Sequence, residues 1–255
     1  MHLAVAERIR AHSLLDRQTA RLLAQAWPAF YLGNVAPDFQ TICDVPREVA
    51  HFYDLPPAPD VVAHRVMLEQ HPQLADAAGL PLAHAVFIAG YRAHLLLDLC
   101  WYWEILIPYF VEAKDWPVDH RERFLVHNTL LTYLDKQAMA TLPATAGQTL
   151  AAARPRHWLP FTGDGELIRW RDMLAAQLRP GGTTATITIY AERMNMKPEA
   201  FAANLDDRQW MAANVFHKIP LEKVETIITR GMEESVELIV DYLSPITATR
   251  EMEAR

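Results

Sequence analysis

Apolar residues recur three and four positions apart along most of the chain, and the alternating pattern a strand requires is nearly absent. This periodicity predicts helices near residues 2–12, 17–32, 60–70, 80–107, 117–138, 164–179, 183–194, 198–215 and 220–243. Their ends are set by local chemistry. Gly33 and Pro37 close the second helix, Pro108 interrupts the central one, and Pro117 and Pro220 sit in first turns, where a missing N–H does no harm. In the last helix Leu221, Val224, Ile228, Met232, Ile239 and Leu243 share one stripe, a core face. Thr183 to Tyr190 is rich in β-branched residues, which suit a strand. A lone strand leaves its backbone unpaired, so the segment is read as helix.

The expected fold class is therefore all-α, a multi-helical bundle. Between Tyr31 and Pro59 the periodicity lapses and five prolines appear, which predicts a long ordered loop over one face of the bundle. Long loops inside compact domains usually carry function. No Gly/Ser linker, repeat or low-complexity stretch divides the 255 residues, so one domain is expected across 1–255.

Composition narrows the function classes. The chain is 51% hydrophobic, and its 24 basic and 31 acidic residues give a net charge of −7 with no basic stripe. No nucleic-acid partner is expected on that ground. Cys43 and Cys100 are too few for a disulfide framework. Met1 to Arg8 lacks the pattern of a cleaved signal, and a cytoplasmic location is expected. The most apolar stretch, Leu80 to Val111, carries His84, Arg92, His94, Asp98 and Glu104. Ionisable groups that frequent are expensive in lipid, so the stretch reads as a buried core helix, not a membrane span.

Those charges point to chemistry. His94 and Asp98 lie four positions apart, so a helix projects both from one face. Alone, such a pair is more often a core imidazole held by a carboxylate than a metal site. The loop adds Asp38 and His51, thirteen positions apart, and His2 opens the first helix. Imidazoles and carboxylates together are the ligands that zinc and similar divalent ions accept.

Four pieces of sequence, His2-Leu3, Ala36-Pro37-Asp38, His51-Phe52-Tyr53-Asp54 and Gly90-Tyr91-Arg92-Ala93-His94-Leu95-Leu96-Leu97-Asp98, resemble the zinc-dependent phospholipase C family. That all-helical superfamily also contains single-strand-specific nucleases. The resemblance covers residues 1–135, which would carry the metal site while 136–255 complete the bundle. It implies that His51, His94 and Asp98 hold one zinc with Asp38 against it. Asp98 would bridge to a second ion that His2 also binds, so two zinc ions are expected. Asp38 would orient or deprotonate the attacking water, or act only as a ligand. Glu104 and His127 fall at positions of further ligands, but Leu131 replaces a family glutamate. A third ion would be poorly held, with Glu104 free to pair with a cation and His127 to pack. Phe39 matches a substrate-pocket aromatic, and Glu48 stands where the family has another.

The expected activity is thus that of a metal-dependent hydrolase of phosphodiesters or related phosphate esters, phospholipase C-like, using a metal-activated water on a small phosphate-ester substrate. The alternative is a metal-binding protein of the same fold with a structural or ligand-binding role and little catalysis. A single-strand nuclease is a third reading. The clusters Arg154-Pro155-Arg156-His157-Trp158 and Arg169-Trp170-Arg171 are candidates for a phosphate rim, although such residues more often cover apolar surface.

Overall fold

A computed structural model describes residues 1–113, 120–179, 182 and 185–253, and among these the chain is helical with no strand, as the periodicity predicts. The amino-terminal part comprises α1 (His2–Arg10), α2 (Arg17–Gln25), α3 (Trp27–Gly33), α4 (Arg47–His51) and α5 (Ala63–Gln70). The central helix is α6 (Leu82–Trp101), continued by a π-helical stretch from Tyr102 to Val111. Then follow α7 (His120–Thr141), α8 (Ala146–Ala151), α9 (Asp164–Gln177), α10 (Thr186–Arg193), α11 (Pro198–Asp206), α12 (Arg208–Met211) and α13 (Leu221–Glu253).

Several boundaries differ from expectation for identifiable reasons. The helix foreseen over 17–32 breaks at Ala26, because Pro28 has no N–H to offer and sits in the first turn of α3. Pro108 does not stop the central helix. The backbone widens instead to i→i−5 bonding around it, and Glu112 N–H reaches Ile107 O at 2.9 Å. The loop from 31 to 59 is not structureless. It contains a 3₁₀ turn over Ala36–Ile42 and the short α4. The β-branched segment is helical from Thr186 onward, whereas Thr183 and Thr184, like Pro117, lie outside the described residues.

The core is organised around α6, buried continuously from His84 to Leu95. Among the described residues one helix, Leu82–Val111, is long and apolar enough to cross a bilayer, but 78% of its most apolar window is buried within the protein. On one side α6 meets α3 at a crossing that two glycines permit. A Cβ on Gly33 would collide with the Phe87 carbonyl, and one on Gly90 would stand 2.6 Å from the Phe30 carbonyl. α13 also packs along α6. The loop is fastened from the other half of the chain, since the buried Trp170 of α9 donates its Nε1–H to Val35 O at 2.6 Å. That bond holds the backbone between Asn34 and Asp38, both of which bear on the candidate site.

Candidate metal centre

Five side chains from four segments meet at one end of this arrangement: His2 from α1, Asp38 from the 3₁₀ turn, His51 from α4, and His94 and Asp98 from α6. Within the described residues two groups have ligand atoms close enough together to hold an ion, His2 with His94 and Asp98, and Asp38 with His51 and His94. His51 and His94 are fully enclosed, Asp98 has 22% of its side chain exposed, and Asp38 is the most open at 40%.

Local backbone chemistry aims each ring. His94 Nδ1 lies 2.8 Å from Asn34 O, and His51 Nδ1 lies 3.3 Å from Arg47 O. A carbonyl only accepts, so in both rings Nδ1 carries the proton and Nε2 faces the carboxylates. α4 ends directly after His51 because Phe52 adopts the left-handed conformation, φ 62°. This is costly for an aromatic residue. Its ring is held there by Phe161 and Tyr91.

The separations have a chemical meaning. His51 Nε2 stands 3.4 Å from Asp98 Oδ2 and 3.6 Å from Asp38 Oδ1, while His94 Nε2 stands 3.6 Å from Asp98 Oδ2 and 4.0 Å from Asp38 Oδ2. These are too long for hydrogen bonds. Four donors about 2.1 Å from one tetrahedral ion lie about 3.4 Å from one another, which is close to the spacing found. On the far side of Asp98, His2 Nε2 is 3.5 Å from Oδ1. The His2 and His94 rings stack with centroids 3.9 Å apart. Buried His94 Nε2 has no hydrogen-bond partner. Neutral imidazole Nε2 atoms and carboxylates are all acceptors, so the group is satisfied only by a cation or by protons.

The electrostatics agree. Burial opposes the charge on Asp98, but the surrounding histidines, His94 foremost, outweigh it and hold the carboxyl well below its ordinary value. Asp38 is balanced the same way, with His51 and His94 keeping it below the usual carboxylate range. Burial works against the imidazolium of His94, yet Asp98 and Asp38 prevail and raise it. His2 goes the other way, lowered by burial and then by His94.

The remaining candidates stand apart from this cluster. Glu104 is ion-paired with Arg230 of α13. His127 is buried and takes the Trp101 indole N–H at 3.0 Å, with Phe110 against its ring at 4.9 Å. Phe39 is fully enclosed in the core and Glu48 is exposed. His84 bonds to Trp158 O at 2.7 Å. Arg171 is buried and donates to Ala153 O at 2.6 Å, and Arg154 donates to nearby carbonyls. Arg154 and Arg171 thus brace the backbone.

Two contributors escape a reading of the sequence. Asn34 acts through its backbone carbonyl, which no side-chain pattern reveals. Arg47 reaches the centre itself, its Nη2 lying 3.4 Å from Asp98 Oδ2. A signal for it existed, because it precedes His51 by four positions and a helix brings such pairs to one face. No family model, curated protein or solved structure matches the chain.

Proposed function

We propose that the chain is a metal-dependent hydrolase of phosphodiesters or related phosphate esters, phospholipase C-like, with zinc as its ion. The observation that carries this reading is the cluster of His51, His94, Asp38 and Asp98, whose imidazole–carboxylate separations of 3.4–4.0 Å suit ligands of a shared ion. Asp98 presents its other oxygen to His2, so a second ion would share that carboxylate. A divalent ion bound here supplies Lewis acidity and a water acidified to near-neutral pKa.

The chain's own groups divide the remaining work. His51 and His94 hold position, since carbonyls fix both rings. Asp38 is the most accessible carboxylate of the cluster and stays ionised, so it is suited to orient a water and accept its proton. A competing reading keeps the metal for structure or ligand binding without efficient turnover, and the enclosure of Phe39 favours it.

Zinc-loaded protein assayed on phosphodiesters, phosphomonoesters and single-stranded oligonucleotides separates these readings. Turnover of one ester class that disappears in His94→Ala is expected. Equal turnover by wild type and His94→Ala would sink the hydrolase reading, and zinc uptake without turnover would leave only the binding role.

A further inference from the structure

Arg47 is the charged group at this centre that metal binding does not employ. Its Nη2 donates to the Tyr53 hydroxyl at 2.6 Å and stands 3.4 Å from Asp98 Oδ2, with Cζ 4.6 Å from the centre of the Tyr53 ring. Its Nη1 is buried and has no hydrogen-bond partner. A charged donor shut away from water without an acceptor is costly, so an anion there would answer a need already present in the fold. The Tyr53 hydroxyl accepts from Arg47, and its own proton has no acceptor among the described residues.

Charge balance sets the condition. Without a metal ion, Arg47 and a proton on His94 at most cancel Asp38 and Asp98, and no positive charge is left over for an anion. One divalent ion supplies it. A guanidinium presents a planar fork to oxyanions, and here the fork is held by ring stacking and by the hydroxyl.

We infer that Arg47 and the Tyr53 hydroxyl form the anion-binding side of this centre, with Arg47 Nη1 receiving a non-bridging oxygen of a phosphate ester brought to the divalent ion. The inference rests on the metal-centre reading above and deepens it, since it assigns substrate recognition to two residues of the chain. It also accounts for a cation placed among metal ligands, where it would otherwise compete for Asp98.

The test is calorimetric titration of inorganic phosphate into zinc-loaded wild type, Arg47→Ala, Arg47→Lys and Tyr53→Phe, with zinc affinity measured on each. Phosphate binding is expected to weaken roughly 10- to 100-fold in Arg47→Ala, about what a hydrogen bond to a charged group contributes. A smaller loss is expected in Arg47→Lys and in Tyr53→Phe, with zinc affinity little changed in all. Phosphate bound equally by wild type and Arg47→Ala, both zinc-loaded, would overturn the inference. Loss of zinc in place of phosphate in Arg47→Ala would also overturn it, showing that Arg47 only braces Asp98. Phosphate bound as tightly without zinc would do the same. Wild type that takes up no zinc would instead bring down the metal reading beneath it.

Discussion

The backbone carbonyl of Asn34 accepts the Nδ1–H of His94 at 2.8 Å, and that bond decides which nitrogen of the ring faces Asp38 and Asp98. Asn34 is fixed in turn by the crossing of α3 and α6. A Cβ added to Gly90 would stand 2.6 Å from Phe30 O and 2.9 Å from Asn34 Nδ2. Gly90→Ala must therefore shift α3 against α6, at a cost of about 1–3 kcal/mol for overpacking. It should also weaken metal affinity about 10- to 100-fold, as losing an outer-shell partner does, with every ligand still in the sequence. Urea denaturation and zinc titration of the variant check both parts. Lower stability with unchanged zinc affinity would show that the Asn34 bond does not aim His94.

A second prediction concerns His127. It is buried, accepts from Trp101, and burial lowers its pKa to about 4. Because the folded value lies below the unfolded one, acidification protonates the unfolded chain first. The stabilisation is full above about pH 6.5 and falls as pH drops toward 4, by up to about 3 kcal/mol. His127→Gln keeps an acceptor for Trp101 and removes the titration. Denaturation midpoints of metal-free wild type and variant near neutral and acid pH should converge on the acid side. Parallel pH profiles would mean that His127 titrates normally.

Asp38→Asn keeps the shape of the side chain but takes no proton at neutral pH. Zinc-loaded variant should lose about 10²- to 10⁴-fold in kcat, the usual contribution of a general base, while His51, His94 and Asp98 still hold the ion. Zinc content measured alongside turnover decides the role. If both fall in the same proportion, Asp38 is a ligand and not the base.

The helical class was legible because the 3.6-residue pattern repeats so consistently, and the pairing of His94 with Asp98 because four positions on a helix share a face. Asp38 and His51 could be singled out by residue type and by their place in a proline-rich segment, but nothing in their spacing shows where the loop folds down. That depends on Trp170 gripping Val35 from a distant helix, a long-range bond that local pattern does not encode. The π-helical stretch after Trp101 was hidden as well. Pro108 reads as a helix stop, and only packing determines that the backbone widens around it. The same extension leaves Glu104 beside Arg230 of α13, a partner that lies too far along the chain to be paired by inspection.

Proton competition gives a further prediction. The Asp98 and Asp38 carboxylates raise the His94 pKa above its ordinary value against the opposing effect of burial, so in the metal-free protein the proton on His94 stabilises the fold at low pH. That contribution fades as pH rises through the raised pKa. Metal must displace the same proton, so as pH falls zinc affinity should begin to decline while the pH is still above about 6.5, the ordinary histidine value. Zinc titrations across neutral pH, with proton release measured in two buffers of different ionisation enthalpy, test this. Affinity independent of pH across that range would contradict the raised His94.

Direct titration of zinc into metal-free protein, comparing wild type with His94→Ala, bears most closely on the cluster of His51, His94, Asp38 and Asp98. Wild type is expected to take up at least one ion tightly, and His94→Ala, folded by circular dichroism, to bind it at least about 100-fold more weakly, beyond the range seen for outer-shell losses. Wild type that binds no zinc, or binds it no better than His94→Ala, would contradict the metal centre.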